Sequence, residues 1–143
     1  MQTVNHKVSF KEVVENVSNL RYYRSCYASI CEMIDDMYPI AAYRMDEVGI
    51  QGKGSVSRKT ENAAIRSIEL NNRKRQYKKK IDLYENAIKR TPLYGEEREL
   101  IDFINENGGG NLAQYAREKG YGASYVYKVR DRAMKRIRDY INK

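Results

Sequence analysis

Apolar residues recur at three- and four-residue spacing in one stretch of the chain after another, and two-residue alternation persists nowhere over a useful length. A helix gathers such residues on one face, whereas a half-buried strand needs alternation, so the pattern predicts an all-α fold. There is no internal repeat. Pro39 and Pro92 both fall where a periodic stretch ends, as suits a residue that has no backbone N–H, and they set the expected boundaries.

Ser9-Phe10-Lys11-Glu12 fits a capping box, with Val8 and Val13 placed as its hydrophobic staple, and predicts a helix from Phe10 to about Met37. Val13, Val17, Leu20, Tyr27, Cys31 and Ile34 form one narrow stripe, interrupted at Arg24, of the kind that requires a partner helix. From Pro39 to Ser57 the pattern lapses, and Gly49, Gly52 and Gly54 among polar residues predict a flexible connection. Periodicity resumes near Thr60. Ala64, Ile65, Ile68, Tyr77, Ile81, Tyr84 and Ile88 then predict a helix of about 30 residues ending before Pro92, with Asn72 and Arg75 weakening its middle. Two long helices joined by a loop imply a hairpin. The first stripe is too long for such a partner to cover, so self-association into a homo-oligomer is expected.

Beyond Pro92 the elements shorten. Glu96, Glu97 and Glu99 crowd the first turn of a segment carrying Leu100, Ile101, Phe103 and Ile104, as the helix dipole favours, and Gly108-Gly109-Gly110 stops it. Asn111 is the expected cap of the next short helix, whose inner face is Leu112, Ala113, Tyr115 and Ala116 and whose left-handed terminator is Gly120. A final helix spans Gly122 to Asn142, with Val126, Val129, Ala133, Ile137, Tyr140 and Ile141 on one stripe. The expected organisation is Met1–Ser57 as first helix and flexible loop, Arg58–Thr91 as the long basic helix completing the hairpin, and Pro92–Lys143 as a three-helix, helix-turn-helix domain.

At 143 residues the chain is one domain, or one with an appendage, too small for a large enzyme. Lys and Arg number 27 against 19 acidic residues, a net charge of +8 that suits a phosphate-bearing or anionic partner. That charge is uneven: Met1–Ser57 has six basic and seven acidic residues, Arg58–Thr91 has eleven and four, and Gly120–Lys143 has seven and two. His6 is the only histidine, which leaves no parts for a His-based zinc site or a Ser-His-Asp triad. Cys26 and Cys31 diverge by about 140° on a helix and read as small buried or interface residues, not as a local disulfide or metal pair. No long apolar run and no basic-then-apolar leader is present, so a soluble, cytoplasmic protein without membrane association is expected.

Gly52-Lys53-Gly54-Ser55 invites comparison with a phosphate loop, but Glu47 occupies the position of its first glycine and no strand precedes it. The adjacent pairs Asp35/Asp36 and Glu96/Glu97 diverge on a helix, which fits helix-end effects better than acid–base catalysis. Neither an enzyme nor a cofactor nor a metal is expected.

A short helix, a glycine turn and a longer basic helix make the helix-turn-helix arrangement, whose second helix enters the major groove of double-stranded DNA. With Val126, Val129, Ala133, Ile137 and Tyr140 inward, a rotation of about 100° per residue puts Ser124, Lys128, Asp131 and Lys135 on the opposite face. Tyr127 and Arg138 flank one side and Tyr125 and Arg132 the other. This mixture supplies what base edges and phosphates need, whereas a protein-binding helix would show Leu, Phe or Met there. The run Arg73-Lys74-Arg75-Gln76-Tyr77-Lys78-Lys79-Lys80 has six basic residues in eight, so Arg73, Lys74, Lys78, Lys79 and Lys80 are further candidate phosphate contacts. They are spread around the helix, so one duplex cannot meet them all.

Asn111 to Arg138, above all Leu112-Ala113-Gln114-Tyr115-Ala116 and the run from Val126 to Arg138, resembles the DNA-binding region four of sigma factors. With Thr60-Glu61-Asn62-Ala63-Ala64-Ile65 opening a long helix before that module, the layout from Ser57 to Tyr140 is similar to small phage transcription activators of the RinA and ArpU type. The resemblance implies a sequence-specific regulator that switches on late genes together with host RNA polymerase, in the bacterial host cytoplasm. It also implies that Ala123, Ser124, Tyr127 and Lys128 stand at the promoter contacts. Two features differ from the pattern: Gly122 replaces the usual polar cap of the recognition helix, and the Gly108–Gly110 turn is unusually loose. Two rivals are a phage small terminase subunit, which usually carries its DNA-binding module first, and a polymerase-binding protein that does not read DNA.

Overall fold

A computed structural model describes residues 7–51 and 58–143, with side chains described for 7–37 and 61–143. Among the described residues the chain is all-α: α1 (Phe10–Ser18), α2 (Leu20–Gln51), α3 (Arg58–Arg90), α4 (Glu96–Asn107), a single 3-10 turn (Gly109–Asn111), α5 (Leu112–Lys119) and α6 (Ala123–Ile141). Residues divide into two compact units. One joins Met1–Tyr23 to Lys80–Lys143, and the other is Arg24–Lys79. The units thus cut across the expected segments ending at residues 57 and 91, because α1 packs on α4 and α6.

In the first unit, α1 starts where the capping pattern predicts, with the Glu12 N–H donating to Ser9 Oγ at 3.1 Å. The single helix expected from Phe10 to Met37 is interrupted at Asn19, whose φ of −104° and ψ of 8° leave the helical region. Hydrogen bonding survives the break, since the Asn19 N–H reaches Glu15 O at 3.0 Å and the Tyr23 N–H reaches Asn19 O at 2.9 Å. The break comes next to a close approach: a Cβ added to Gly109 would lie 2.6 Å from Ser18 Oγ and 2.7 Å from Ser18 Cβ. The glycine turn that looks loose in sequence is therefore the point at which α1 seats against the end of α4. The residues before α1 are tied to the end of α6, as Asn142 accepts from the Val8 N–H at 2.8 Å and donates to Val8 O at 2.9 Å.

Val13, Val17 and Leu20 are wholly buried, and the same unit buries Ile81, Tyr84, Ala87 and Ile88 of α3 together with the inner faces of α4, α5 and α6. A polar chain crosses this core without leaving an orphan among its three members. Tyr23 donates to Asn16 Oδ1 at 2.9 Å, and Asn16 Nδ2 donates to the buried Tyr84 hydroxyl at 3.0 Å. At the α3–α4 corner, Arg98 donates to Ile88 O at 2.8 Å and to Thr91 O at 2.9 Å, satisfying carbonyls that the end of α3 leaves open before Pro92. The helix end expected before Pro92 is found, since α3 stops at Arg90.

Pro39 is different. The backbone of α2 continues through it to Gln51, because one proline removes a single hydrogen bond, at a cost of about 3 kcal/mol, and a long ladder on either side can outlast that loss. Gly49 accordingly lies within a helix, not in a loop, while the part of the flexible connection expected at Gly52 and Gly54 lies outside the described residues.

In α3 the less exposed positions are Ala63, Ser67, Leu70, Asn71, Lys74, Tyr77, Ile81, Tyr84, Ala87 and Ile88, one face at three- and four-residue spacing. Ala64, Ile65 and Ile68 were expected inside this helix and instead face out, with Ile65 at 55% and Ile68 at 62% exposure. The seam selects Ser67 and Lys74 over them because position along the 3.5-residue repeat, not hydrophobicity alone, decides which side chains meet a neighbour. In the second unit Lys78 lies over the Tyr27 ring at 5.9 Å.

Gly109→Ala is expected to lower stability by about 1–3 kcal/mol, the cost of forcing a methyl into a filled contact. Combining it with Ser18→Gly is expected to recover part of that loss in thermal melts. Burial also raises the Tyr84 and Tyr115 phenols above their ordinary range. The folded state thus holds these protons more tightly than the unfolded one. Their contribution is present in full below the unfolded value near pH 10 and is lost as pH rises through the higher folded values. Urea midpoints measured from pH 8 to pH 11 are expected to stay level and then fall.

Candidate nucleic-acid interface

The short helix α5 buries Leu112, Tyr115 and Ala116 but leaves Ala113 exposed, so one of its four expected inner residues faces out. Phe103 of α4 packs on Tyr115 with ring centres 4.8 Å apart. Asn111 precedes α5 but makes no side-chain capping bond. The helix ends as expected at Gly120, whose φ of 73° is left-handed. Its N–H reaches Arg117 O at 3.3 Å and the Tyr121 N–H reaches Ala116 O at 2.8 Å, the paired bonds of a Schellman ending. Only Tyr121 and Gly122 then separate Gly120 from α6.

Val126, Val129, Ala133 and Ile137 are buried as the stripe predicts, and Met134 joins them with no exposed surface. Met134 lies on the shoulder of the stripe, and periodicity alone does not place it inside; α1, α4 and α5 all pack on α6. Tyr140 and Ile141, assigned to the stripe, are only half-buried near the end of the helix.

Opposite this face, Ala123, Ser124, Lys128, Arg132 and Lys135 are exposed, and Tyr127 is 47% exposed. Among the described residues, no carboxylate lies within ion-pair distance of Lys128, Arg132 or Lys135. Other candidates are already engaged. Asp131 accepts from its neighbour Arg130 at 2.9 Å and 3.1 Å, and the Arg130 guanidinium lies 4.9 Å from the centre of the Tyr127 ring. Arg138 is half-buried and paired with Asp139 at 3.1 Å. Asp131 therefore serves to place Arg130 beneath Tyr127, a role that adjacency in sequence does not reveal.

Tyr125 is 39% exposed, yet its hydroxyl donates to Glu96 of α4. The same carboxylate accepts from Tyr121 at 3.3 Å, and the two tyrosine rings meet edge-on at 5.3 Å. The bond to Glu96, followed by desolvation, raises the Tyr125 phenol above its ordinary range, and desolvation followed by the Glu96 charge does the same to Tyr121. Glu97 pairs with Arg136 at 3.4 Å and Glu99 with Lys119 at 3.7 Å. The first turn of α4 thus touches the end of α5, the turn and two places on α6.

The basic run of α3 does not present one surface. Arg73 and Lys79 are exposed, Lys74 is half-buried, and Lys78 lies over Tyr27; all four belong to the second unit. Lys80 lies over Tyr23 at 5.2 Å and belongs to the first. Cys26 and Cys31 are free and half-buried. Among the described residues, no group of three His, Cys, Asp or Glu is placed to hold a metal ion, and no helix is long and apolar enough to cross a membrane.

In comparisons with known proteins, no family model, no curated protein and no solved structure matches the chain.

Met134→Ala is expected to cost about 2–5 kcal/mol, as a large-to-small change in a closed core does. Lys128→Ala, on the open face, is expected to stay within about 0.5 kcal/mol of the parent. Chemical denaturation of the two variants checks which side of α6 is inside.

Proposed function

We propose that this chain is a sequence-specific, non-enzymatic DNA-binding transcription regulator that reads double-stranded DNA with α6, in a helix-turn-helix formed by α5, the Gly120–Gly122 turn and α6. The observation that carries this reading is the sorting of α6: its apolar side is closed, while Ser124, Lys128, Arg132 and Lys135 stand open without acidic partners among the described residues. Cations in water beside a low-dielectric core attract phosphates, and hydroxyl and ammonium groups in the first turns supply base-edge contacts. The seven basic and two acidic residues of Gly120–Lys143 support the same partner. A helix face built for a protein groove would instead place large apolar side chains in the open positions.

The resemblance to sigma region four and to RinA- and ArpU-type activators extends this to activation of phage late genes with host RNA polymerase in the bacterial cytoplasm. Exposed Ile65 and Ile68 support self-association through the long helices.

The test is binding of the full chain to a duplex selected by it from a random-sequence library, against a shuffled duplex, across a salt series. Lys128→Ala is expected to cost about 1–3 kcal/mol on the selected duplex and little on the shuffled one. Lys135→Ala should weaken both alike and reduce the log–log salt slope by about 0.9, because a phosphate contact carries no sequence information. A flat salt response, or unchanged binding by both variants, overturns the proposal.

A further inference from the structure

The start of α6 lacks the usual fixture. Its N-cap is Gly122, which has no side chain to accept from the first amides, and no side-chain cap bond is made there. The first turn closes through the Val126 N–H to Gly122 O at 3.2 Å, a bond whose acceptor sits on a residue of high backbone freedom. One side chain from another helix restrains both flanks of this glycine. Glu96 of α4 accepts from Tyr121, just before Gly122, and from Tyr125, in the first turn of α6. The edge-on contact of the two rings closes the arrangement.

From this geometry we infer that Glu96 is a positioning residue for the recognition helix: by holding Tyr121 and Tyr125 it replaces the missing cap and sets where the first turn of α6 lies. Tyr125 consequently presents a fixed ring edge, since its hydroxyl is already given to a carboxylate. Sequence discrimination then depends on a residue that itself lies on α4. This last step rests on the proposed DNA-reading role, whereas the restraint on α6 stands on the geometry alone.

The experiment has two arms on the full-length protein, with E96A, E96Q, Y125F and the double variant E96A/Y125F. The two hydroxyls donate to different oxygens of Glu96. Gln keeps one oxygen to accept from Tyr125 and offers an NH2 that donates to the Tyr121 hydroxyl, so E96Q removes the charge while leaving each tyrosine a hydrogen-bond partner. In the first arm, amide hydrogen exchange is read without DNA. Faster exchange at Val126 and Tyr127 in E96A and Y125F, with E96Q like the parent and the amides of α4 unaffected, supports the inference. Unchanged exchange, exchange raised equally throughout the unit, or E96Q behaving like E96A overturns it.

In the second arm, the ratio of affinities for the selected and shuffled duplexes is measured. E96A and Y125F are each expected to lower it by about tenfold, within the range of one lost base contact, and the double variant to lower it no further. An unchanged ratio, or losses that simply add, overturns the link to discrimination. Absence of any duplex binding by the parent overturns the proposed function instead, and the exchange arm alone then decides the restraint.

Discussion

The apolar side of α6 is the surface on which the first unit is assembled. Val126, Val129, Ala133, Met134 and Ile137 have almost no access to solvent, and α1, α4 and α5 all pack against this helix. Burial of that strip is non-directional and proportional to area, so it supplies stability without choosing an orientation. Orientation comes from polar contacts around the strip. The three glutamates of the first turn of α4 reach Lys119, Tyr121, Tyr125 and Arg136, and Asn142 grips the backbone of Val8. The exposed ion pairs among these are individually weak, so together they act as register marks on a hydrophobic assembly.

That division explains how a short module can keep one helix face free. Three arginines of α6 have an acid beside them: Arg130 has Asp131, Arg136 has Glu97 and Arg138 has Asp139. Lys128, Arg132 and Lys135, on the outer side, have none among the described residues. Neutralising the three arginines while Lys128, Arg132 and Lys135 stay in water concentrates the positive field around the latter, which is what an anionic partner meets first.

Glycine has two separate tasks in this unit. Gly120 turns the chain through a left-handed conformation between α5 and α6, and it was recognisable because only glycine adopts that geometry without steric cost. Gly109 is needed for space, since Ser18 leaves no room for a methyl. Nothing local distinguishes the second kind of glycine from the first, because the atoms that forbid a side chain lie in a different helix.

The all-α class, the cap at Ser9, the stop before Pro92, the left-handed Gly120 and the inner stripe of α6 were all legible, since each depends on backbone chemistry or on a period carried by neighbouring residues. The continuation of α2 through Pro39, the break at Asn19 and the outward Ile65 and Ile68 were not, because long ladders and neighbouring helices outweighed local preference there. In the candidate interface Asp131 is half-buried and held by Arg130, whereas the exposure of Ser124, Lys128 and Lys135, placed on the same face, followed from rotation alone. The engagement of Tyr125 with Glu96 did not, because the two residues are 29 apart and no periodicity links them. Sequence by itself determined which faces are apolar and where positive charge accumulates, as both are sums over local residues. Tertiary structure alone decided which polar groups spend their hydrogen bonds within the fold and which remain open, because that depends on what a distant segment brings within about 3 Å.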